Sequence, residues 1–199
     1  MNSKNIYLIR HGEIGIPGVK RYIGVLDLPL NLSGNLQAHK LNEFFKNINI
    51  DKIYCSDLQR SFQTAQIIAQ KKVVKIEKLV LLREINMGNW EGKSFKEIKK
   101  KFPTEFRTRL NEIENFKPAG GESFKECQIR AISIFSTLAK EDFKNIAIVA
   151  HAGFNRSIIA YILGTPLKNI FKFEQHYGCI NKIIFDGVNF KLSYLNYFI

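Results

Sequence analysis

The sequence predicts an α/β fold with a mixed sheet, and three observations carry that prediction. Short apolar runs alternate with segments of helical periodicity along the chain. Two of those runs, Ile6-Tyr7-Leu8-Ile9 and Ile146-Ala147-Ile148-Val149-Ala150, are continuous rather than alternating, as in strands covered on both faces. Near the C-terminus, Asp186-Gly187 separates two strand-like runs and reads as a hairpin turn, which makes the sheet mixed.

The elements follow in order. The first strand stops at Arg10-His11-Gly12-Glu13, and residues 12–31 then form a long loop containing Gly15, Gly18, Gly24 and two prolines. A loop that long in a compact chain is usually functional. Asn31 or Ser33 caps a helix to about Phe45, with Leu36, Leu41, Phe44 and Phe45 on its apolar side. Ile53-Tyr54-Cys55 is a brief strand. Ser56-Asp57 caps a helix from Leu58 to Ala69, whose stripe includes Leu58, Phe62, Ala65, Ile68 and Ala69. Val73-Val74-Lys75-Ile76 is another short strand, and residues 79–92 are less regular. Two short helices near 94–101 and 104–112 are broken by Pro103. A turn at Pro118-Ala119-Gly120-Gly121-Glu122-Ser123 opens a long helix to about Lys140. After the second long apolar run comes a helix from about Phe154 to Leu163, a break at Gly164-Thr165-Pro166, and strands near 179–185 and 190–196. Without repeats, low-complexity tracts or linkers, residues 1–199 read as one domain.

Composition narrows the function classes. The chain is 45% hydrophobic and 24% charged, ordinary values for a soluble globular protein. The first apolar run is too short for a signal peptide, and no stretch reaches membrane-spanning length. Cys55, Cys127 and Cys179 lie far apart in no metal-ligand spacing, so they read as reduced thiols of a cytoplasmic protein. The net charge of +12 comes from dispersed lysines. With no basic tail or nucleic-acid-binding motif, that charge is read first as a solvated surface, then as steering of anionic substrates, and last as a nucleic-acid footprint. The Phe-rich segments and the closing hairpin suit either a core or a homodimer interface.

The chemistry is concentrated where strands stop. Arg10-His11-Gly12-Glu13 and His151-Ala152-Gly153 each end a buried-strand run, at the carboxyl edge where open α/β sheets bind ligands. Each histidine stands just before a glycine that lets backbone come close. One shared site explains this pairing better than two unrelated histidines satisfied by carbonyls.

These motifs resemble the histidine phosphatase superfamily, the phosphoglycerate mutase-like enzymes. The resemblance rests on Leu8-Ile9-Arg10-His11-Gly12-Glu13, on Ser56-Asp57-Leu58-Gln59-Arg60 with Gln63-Thr64-Ala65, and on Leu82-Arg83-Glu84 with Gly88-Asn89-Trp90-Glu91-Gly92. It continues through Gly120-Gly121-Glu122-Ser123 and Val149-Ala150-His151-Ala152-Gly153, and so covers nearly the whole chain. It implies three layers, a mostly parallel central sheet flanked by helices, and a helical cap-like segment at about 91–122. It also implies a metal-independent phosphomonoesterase, with no cofactor and a phosphorylated small molecule as substrate. His11 corresponds to the nucleophile, because a neutral imidazole attacks phosphorus near neutral pH and a phosphohistidine splits one displacement into two. Arg10, Arg60 and His151 correspond to the groups around the phosphoryl oxygens, where charge spreads in the transition state. Glu84 corresponds to the general acid and base, with enclosure raising its pKa and the arginines lowering it. Glu13 is a second carboxylate in the tetrad, better placed to orient than to transfer a proton.

Other residues carry competing readings. Trp90 is read as a core anchor at the edge of the site and His39 as a surface residue. His176 stands before the penultimate strand and is a candidate to face the pocket. Glu122 is read as a cap or dipole partner beside a close backbone approach at Gly120-Gly121.

The substrate class is read from two segments. The chain has Asn86-Met87-Gly88-Asn89-Trp90-Glu91-Gly92 where phosphoglycerate mutases carry a Glu-Arg-His-Tyr-Gly type segment, which resembles the hydrolytic members. Many members carry a phosphate-contacting asparagine shortly after the tetrad, and here the stretch is Ile14-Gly15-Ile16-Pro17-Gly18. Backbone N–H groups, Lys20 or Arg21 are candidates to replace it. Arg21-Tyr22-Ile23-Gly24, Asp27-Leu28-Pro29-Leu30 and Gly34…Gln37-Ala38 resemble the α-ribazole phosphatases most, with Tyr22, Gly24 and Ala152 as further substrate-binding candidates. The alternatives are a broad-specificity phosphatase, a mutase, or a non-catalytic protein that holds a phosphorylated ligand.

Overall fold

A computed structural model describes residues 3–15 and 20–199. Six strands form one sheet: β1 (Lys4–Arg10), β2 (Lys52–Cys55), β3 (Lys75–Lys78), β4 (Asn145–Ala150), β5 (Ile180–Phe185) and β6 (Phe190–Tyr197). Their order across the sheet is β3-β2-β4-β1-β5-β6. The first four neighbours are mutually parallel, while β5 runs antiparallel to β1 and to β6. The sheet is therefore mixed and mostly parallel, with β1 at the change of direction.

Alternation along β1 sorts the helices into two layers. Ile6 and Leu8 face a core shared with Phe124, Ala131, Phe135 and Leu138 of α5 (Phe124–Lys140) and with Phe154 and Ile158 of α6 (Ala152–Ile162). Tyr7 and Ile9 face the opposite core, with Leu41 of α1 (Leu32–Phe44) and Ala65 and Ile68 of α2 (Gln59–Ala69). Two short helices, α3 (Phe95–Lys101) and α4 (Pro103–Asn111), add Ile98 and Phe106 to the first side, and Phe102 between them joins it.

Several boundaries differ from the sequence reading, each for a local reason. Asn31 caps α1 by accepting from the Gly34 N–H at 2.8 Å, but the buried stripe is Gly34, Ala38 and Leu41. Leu36 lies off that stripe and is 67% exposed. Helix α2 starts at Gln59 behind Leu58, with no side-chain cap, because Asp57 pairs instead with Arg83. Strand β3 begins at Lys75 rather than Val73, and only there does pairing with β2 start. Pro103 opens α4 rather than separating two helices, since the first helical residue needs no N–H. Helix α6 starts at Ala152, directly behind His151, two residues earlier than the apolar pattern suggests. Residues 86–92 are held by Gly120-Gly121: the Asn89 N–H donates to the Ala119 carbonyl at 3.0 Å, and a Cβ on Gly121 would stand 2.6 Å from the Asn86 carbonyl oxygen.

Candidate active site

Parallel pairing of β1 with β4 places Arg10 opposite Ala150 in register. The next residue of each strand is a histidine, and the His11 and His151 rings lie 5.0 Å apart between centroids. Both side chains are almost fully buried. Burial pulls both histidine pKa values well below the usual 6.5, with the charges of Arg60 and Arg10 acting in the same direction. Both rings are therefore neutral at neutral pH.

Hydrogen bonds set the two tautomers. His11 Nδ1 lies 2.6 Å from the Gly12 carbonyl oxygen, which can only accept, so Nδ1 carries the proton and Nε2 presents a lone pair. His151 Nδ1 accepts from Arg60 Nε at 3.3 Å, so its proton is on Nε2. That Nε2–H is buried without a hydrogen-bond partner among the described residues, and so is Arg10 Nε. Unpaired buried donors are rare in folded proteins. Here one belongs to the imidazole pair itself and the other to Arg10, the residue before His11.

Arg60 is fixed from both sides. It is 1% exposed, and its Nη1 and Nη2 donate to the carbonyls of Leu26 at 2.8 Å and Gly24 at 2.5 Å. A guanidinium has five N–H donors, so two remain for a ligand. Thr64, one turn along α2, accepts from the Gly12 N–H at 3.1 Å and donates to the Arg60 carbonyl at 2.7 Å. Gly12 is pressed against the start of α1, where a Cβ would stand 2.4 Å from the Gly34 carbonyl oxygen.

Glu84 lies across the N-terminus of α6. Its carboxylate accepts from the backbone N–H groups of Gly153 at 3.0 Å, Phe154 at 3.1 Å and Ile85 at 2.9 Å. The positive end of the helix suits an anion there. Behind it, Arg130 pairs with Glu122 at 2.8 Å and donates to the Leu81 and Arg83 carbonyls, which clamps the segment carrying Glu84. Glu122 therefore serves as an ion-pair partner rather than a cap, and Ser123 with Glu126 makes the capping box of α5.

Beside Glu84 opens a cleft of about 490 Å³. Tyr22, Phe95, Phe106, Phe124 and Phe171 supply aromatic surface, Ala152 and Gly153 also line it, and Arg21, Arg109, Arg156 and Lys168 supply positive charge. Tyr22 stacks on Phe95 at 4.3 Å. Among the described residues, neither Arg109 nor Arg156 has a carboxylate within ion-pair distance.

Of the residues singled out from sequence, Arg10, His11, Arg60, Glu84 and His151 converge, and Tyr22 and Ala152 line the cleft. Gly24 does not line it: its carbonyl holds Arg60 and its N–H donates to Glu91. Glu13 holds Asn31 through a side-chain contact at 3.2 Å, at the start of α1. His176 turns outward to Asn196 and Glu174, whereas its neighbours Gln175 and Tyr177 contact Arg10. Trp90 is fully buried against Tyr22 and Phe116, and His39 is exposed. The three cysteines are buried free thiols, with burial raising Cys55 to about 12 and Cys179 to about 11. Ile16, Pro17 and Gly18, where the family asparagine would be sought, lie outside the described residues. Arg21, a candidate replacement, donates to the Gly92 carbonyl and lines the cleft. No group of three or more His, Cys, Asp or Glu among the described residues could hold a metal ion. No helix there is long and apolar enough to cross a membrane.

One supporting residue escaped the sequence reading. Glu91 accepts from the backbone N–H groups of Gly24, Val25, Leu26 and Met87. It thereby shapes the loop whose carbonyls hold Arg60. An acidic residue between Trp90 and Gly92, facing a loop rich in free N–H groups, was the available signal.

The family model "Histidine phosphatase superfamily (branch 1)" matches residues 6–197. The chain is 26% identical to the adenosylcobalamin/alpha-ribazole phosphatase of Escherichia coli (strain K12), over 89% of this chain and 88% of that one. It is 30% identical to phosphoserine phosphatase 1 of Hydrogenobacter thermophilus, over 88% of this chain and 82% of the relative. A crystal structure of the alpha-ribazole phosphatase from Shigella flexneri superposes with a TM-score of 0.90 at 26% identity, covering 97% of this chain and 96% of that one.

Proposed function

The chain belongs to branch 1 of the histidine phosphatase superfamily, and from that premise we propose that it hydrolyses α-ribazole 5′-phosphate through a phosphohistidine at His11. The observation that carries the chemistry is the pair of fixed tautomers: a lone pair on His11 Nε2 beside a buried, unpartnered N–H on His151. His11 Nε2 attacks phosphorus in line with the leaving oxygen. Arg10, the two remaining Arg60 donors and His151 Nε2–H hold the phosphoryl oxygens as charge spreads over them. Glu84 in its protonated form gives its proton to the leaving alkoxide. The carboxylate so formed, held by the α6 N–H groups, then takes a proton from the water that attacks phosphohistidine and returns to the acid form. The segment at 91–122, with α3 and α4, acts as a cap whose aromatic side chains receive the leaving group.

The substrate assignment is supported by two relatives carrying the alpha-ribazole name and by the aromatic walls of the cleft, which suit a flat base. A second reading is broad specificity for phosphate esters bearing another anionic group. Arg109 and Arg156, which face the cleft without carboxylate partners, favour it. A screen of α-ribazole phosphate, phosphoserine, phosphoglycerates, sugar phosphates and nucleotides separates the two. The first reading expects α-ribazole phosphate to have the highest kcat/KM; the second expects esters that carry a further anionic group beyond the phosphate to lead.

The mechanism itself is tested with an aryl phosphate in EDTA. We expect turnover, with an acid-labile phosphoenzyme trapped in a quench and both lost in His11→Ala. An undiminished rate in His11→Ala would remove the nucleophile assignment. Tight phosphate-ligand binding without any phosphoenzyme would indicate a non-catalytic binding protein.

A further inference from the structure

Arg10 reaches the site from the end of β1, yet nothing in the tetrad itself fixes its long side chain. The segment between α6 and β5 does so. Arg10 Nη1 donates to the Gln175 carbonyl at 2.5 Å, and its guanidinium lies over the Tyr177 ring, 3.6 Å from the centroid. Tyr177 also lies against His11, at 5.6 Å between ring centroids.

Gln175 is in turn anchored by a buried amide pair. Its Nε2 donates to Asn181 Oδ1 at 2.8 Å, and Asn181 Nδ2 donates back to Gln175 Oε1 at 2.9 Å and to the Leu8 carbonyl at 3.0 Å. Gln175 is 3% exposed and Asn181 is fully buried. Buried amides with every partner matched are characteristic of positions that require one geometry. An apolar residue at Asn181 would fill the same place in β5 without desolvating a polar group. The backbone N–H of Asn196 in β6 also donates to Asn181 Oδ1, at 2.9 Å, which ties the pair to the edge of the sheet.

We propose that Tyr177 and the Gln175–Asn181 amide pair are positioning residues for Arg10, holding its guanidinium in the plane that receives the phosphoryl group. The proposal rests on the reading of Arg10 as part of the phosphate cradle. The Tyr177 ring supplies a face against which the guanidinium stacks, and the Gln175 carbonyl holds one terminal nitrogen. Its buried Nε has no hydrogen-bond partner among the described residues and is left to donate to the phosphoryl group. A stacked, tethered arginine loses little conformational freedom when the anion arrives.

The test is orthovanadate binding by calorimetry in Tyr177→Leu, Tyr177→Phe and Gln175→Met, each alone and in an Arg10→Ala background. Tyr177→Leu removes a cation–π contact and is expected to weaken binding about fivefold, while Tyr177→Phe keeps the ring and the affinity. In Arg10→Ala, both Tyr177→Leu and Gln175→Met are expected to have no further effect, because residues acting through one group are not additive. Equal losses in both backgrounds, or a loss in Tyr177→Phe matching that in Tyr177→Leu, would overturn the proposal. His11→Ala turnover, measured alongside, separates the two ideas. If it is lost while Tyr177→Leu binds normally, the clamp is refuted and the phosphohistidine reading stands; if it is retained, the reading itself fails.

Discussion

Glu91→Gln tests how far the geometry of Arg60 depends on a carboxylate that does not touch it. The substitution preserves size and removes one acceptor oxygen. In the native chain Oε1 accepts from Val25 and Met87, and Oε2 accepts from Gly24 and Leu26. A glutamine turned either way keeps one pair and sets its NH2 against the other. Two hydrogen bonds to a charged acceptor are therefore lost, worth about 1.5–3 kcal/mol each when buried. Leu26 N is exposed and the other three are part-buried, so water recovers some of that loss. The expected destabilisation is about 2 kcal/mol, read as a lower urea midpoint with unchanged slope. The same loop holds Arg60 through the Gly24 and Leu26 carbonyls, so KM and the inhibition constant for phosphate should rise by about tenfold, equivalent to about 1.4 kcal/mol. A variant with native stability and native phosphate affinity would refute the argument that Glu91 organises the cradle.

Three further outcomes follow from the same contacts. Glu84→Gln should retain phosphate binding but lose most turnover of alkyl phosphates, with aryl phosphates affected less because they need little protonation; equal loss on both would remove Glu84 from acid catalysis. Gly153→Ala places a Cβ 2.6 Å from Glu84 Oε1 and 2.8 Å from Ile85 Cδ1, so kcat should fall at least tenfold while the fold persists, as steady-state kinetics and circular dichroism would show. Because His11 and His151 have folded pKa values well below the unfolded value of about 6.5, the unfolded chain binds more protons under acid conditions, and their stabilisation is present above pH 6.5 and lost as pH falls through the folded values. Urea titrations should show stability declining below pH 6.5 with a slope approaching about 2.7 kcal/mol per pH unit for the two groups, and a flat profile from pH 7 to 5 would contradict their burial as neutral rings.

The parts of the site legible in the sequence are those carried by strand ends and motifs. Arg10, His11 and His151 stand where apolar runs stop, and parallel pairing of two such runs brings their ends together. Arg60 and Glu84 are legible only through the family resemblance of their motifs, and the structure adds what holds them. The residues that sequence left open depend on contacts between distant segments. Gln175 and Tyr177 flank His176, but side-chain direction in an irregular connection has no periodicity to read, so the sequence does not show that His176 turns outward while its neighbours contact Arg10. Arg109 on α4 and Arg156 on α6 line one cleft although they lie far apart in sequence, a juxtaposition that only the folded chain makes. Asn181 is a polar residue within β5 whose partner, Gln175, is set by the fold and not by the sequence pattern. The early start of α6 is hidden because Gly153 is a poor helix former and His151 makes no side-chain cap; Glu84 supplies from outside the acceptor that a capping side chain would give.

That early start limits where this chain tolerates change. Strand β4 ends at Ala150 and α6 begins at Ala152, so a single residue joins them. One amino acid inserted or deleted there would turn the helix by about 100° and move it about 1.5 Å along its axis. The N–H groups of Gly153 and Phe154 would swing away from Glu84 while His151 stayed with the strand. Length variation at this junction is thus quantised in steps too coarse for a phosphoryl group. Grafting and loop exchange aimed at new substrates belong in the segment carrying α3 and α4, which can be rebuilt without rephasing α6.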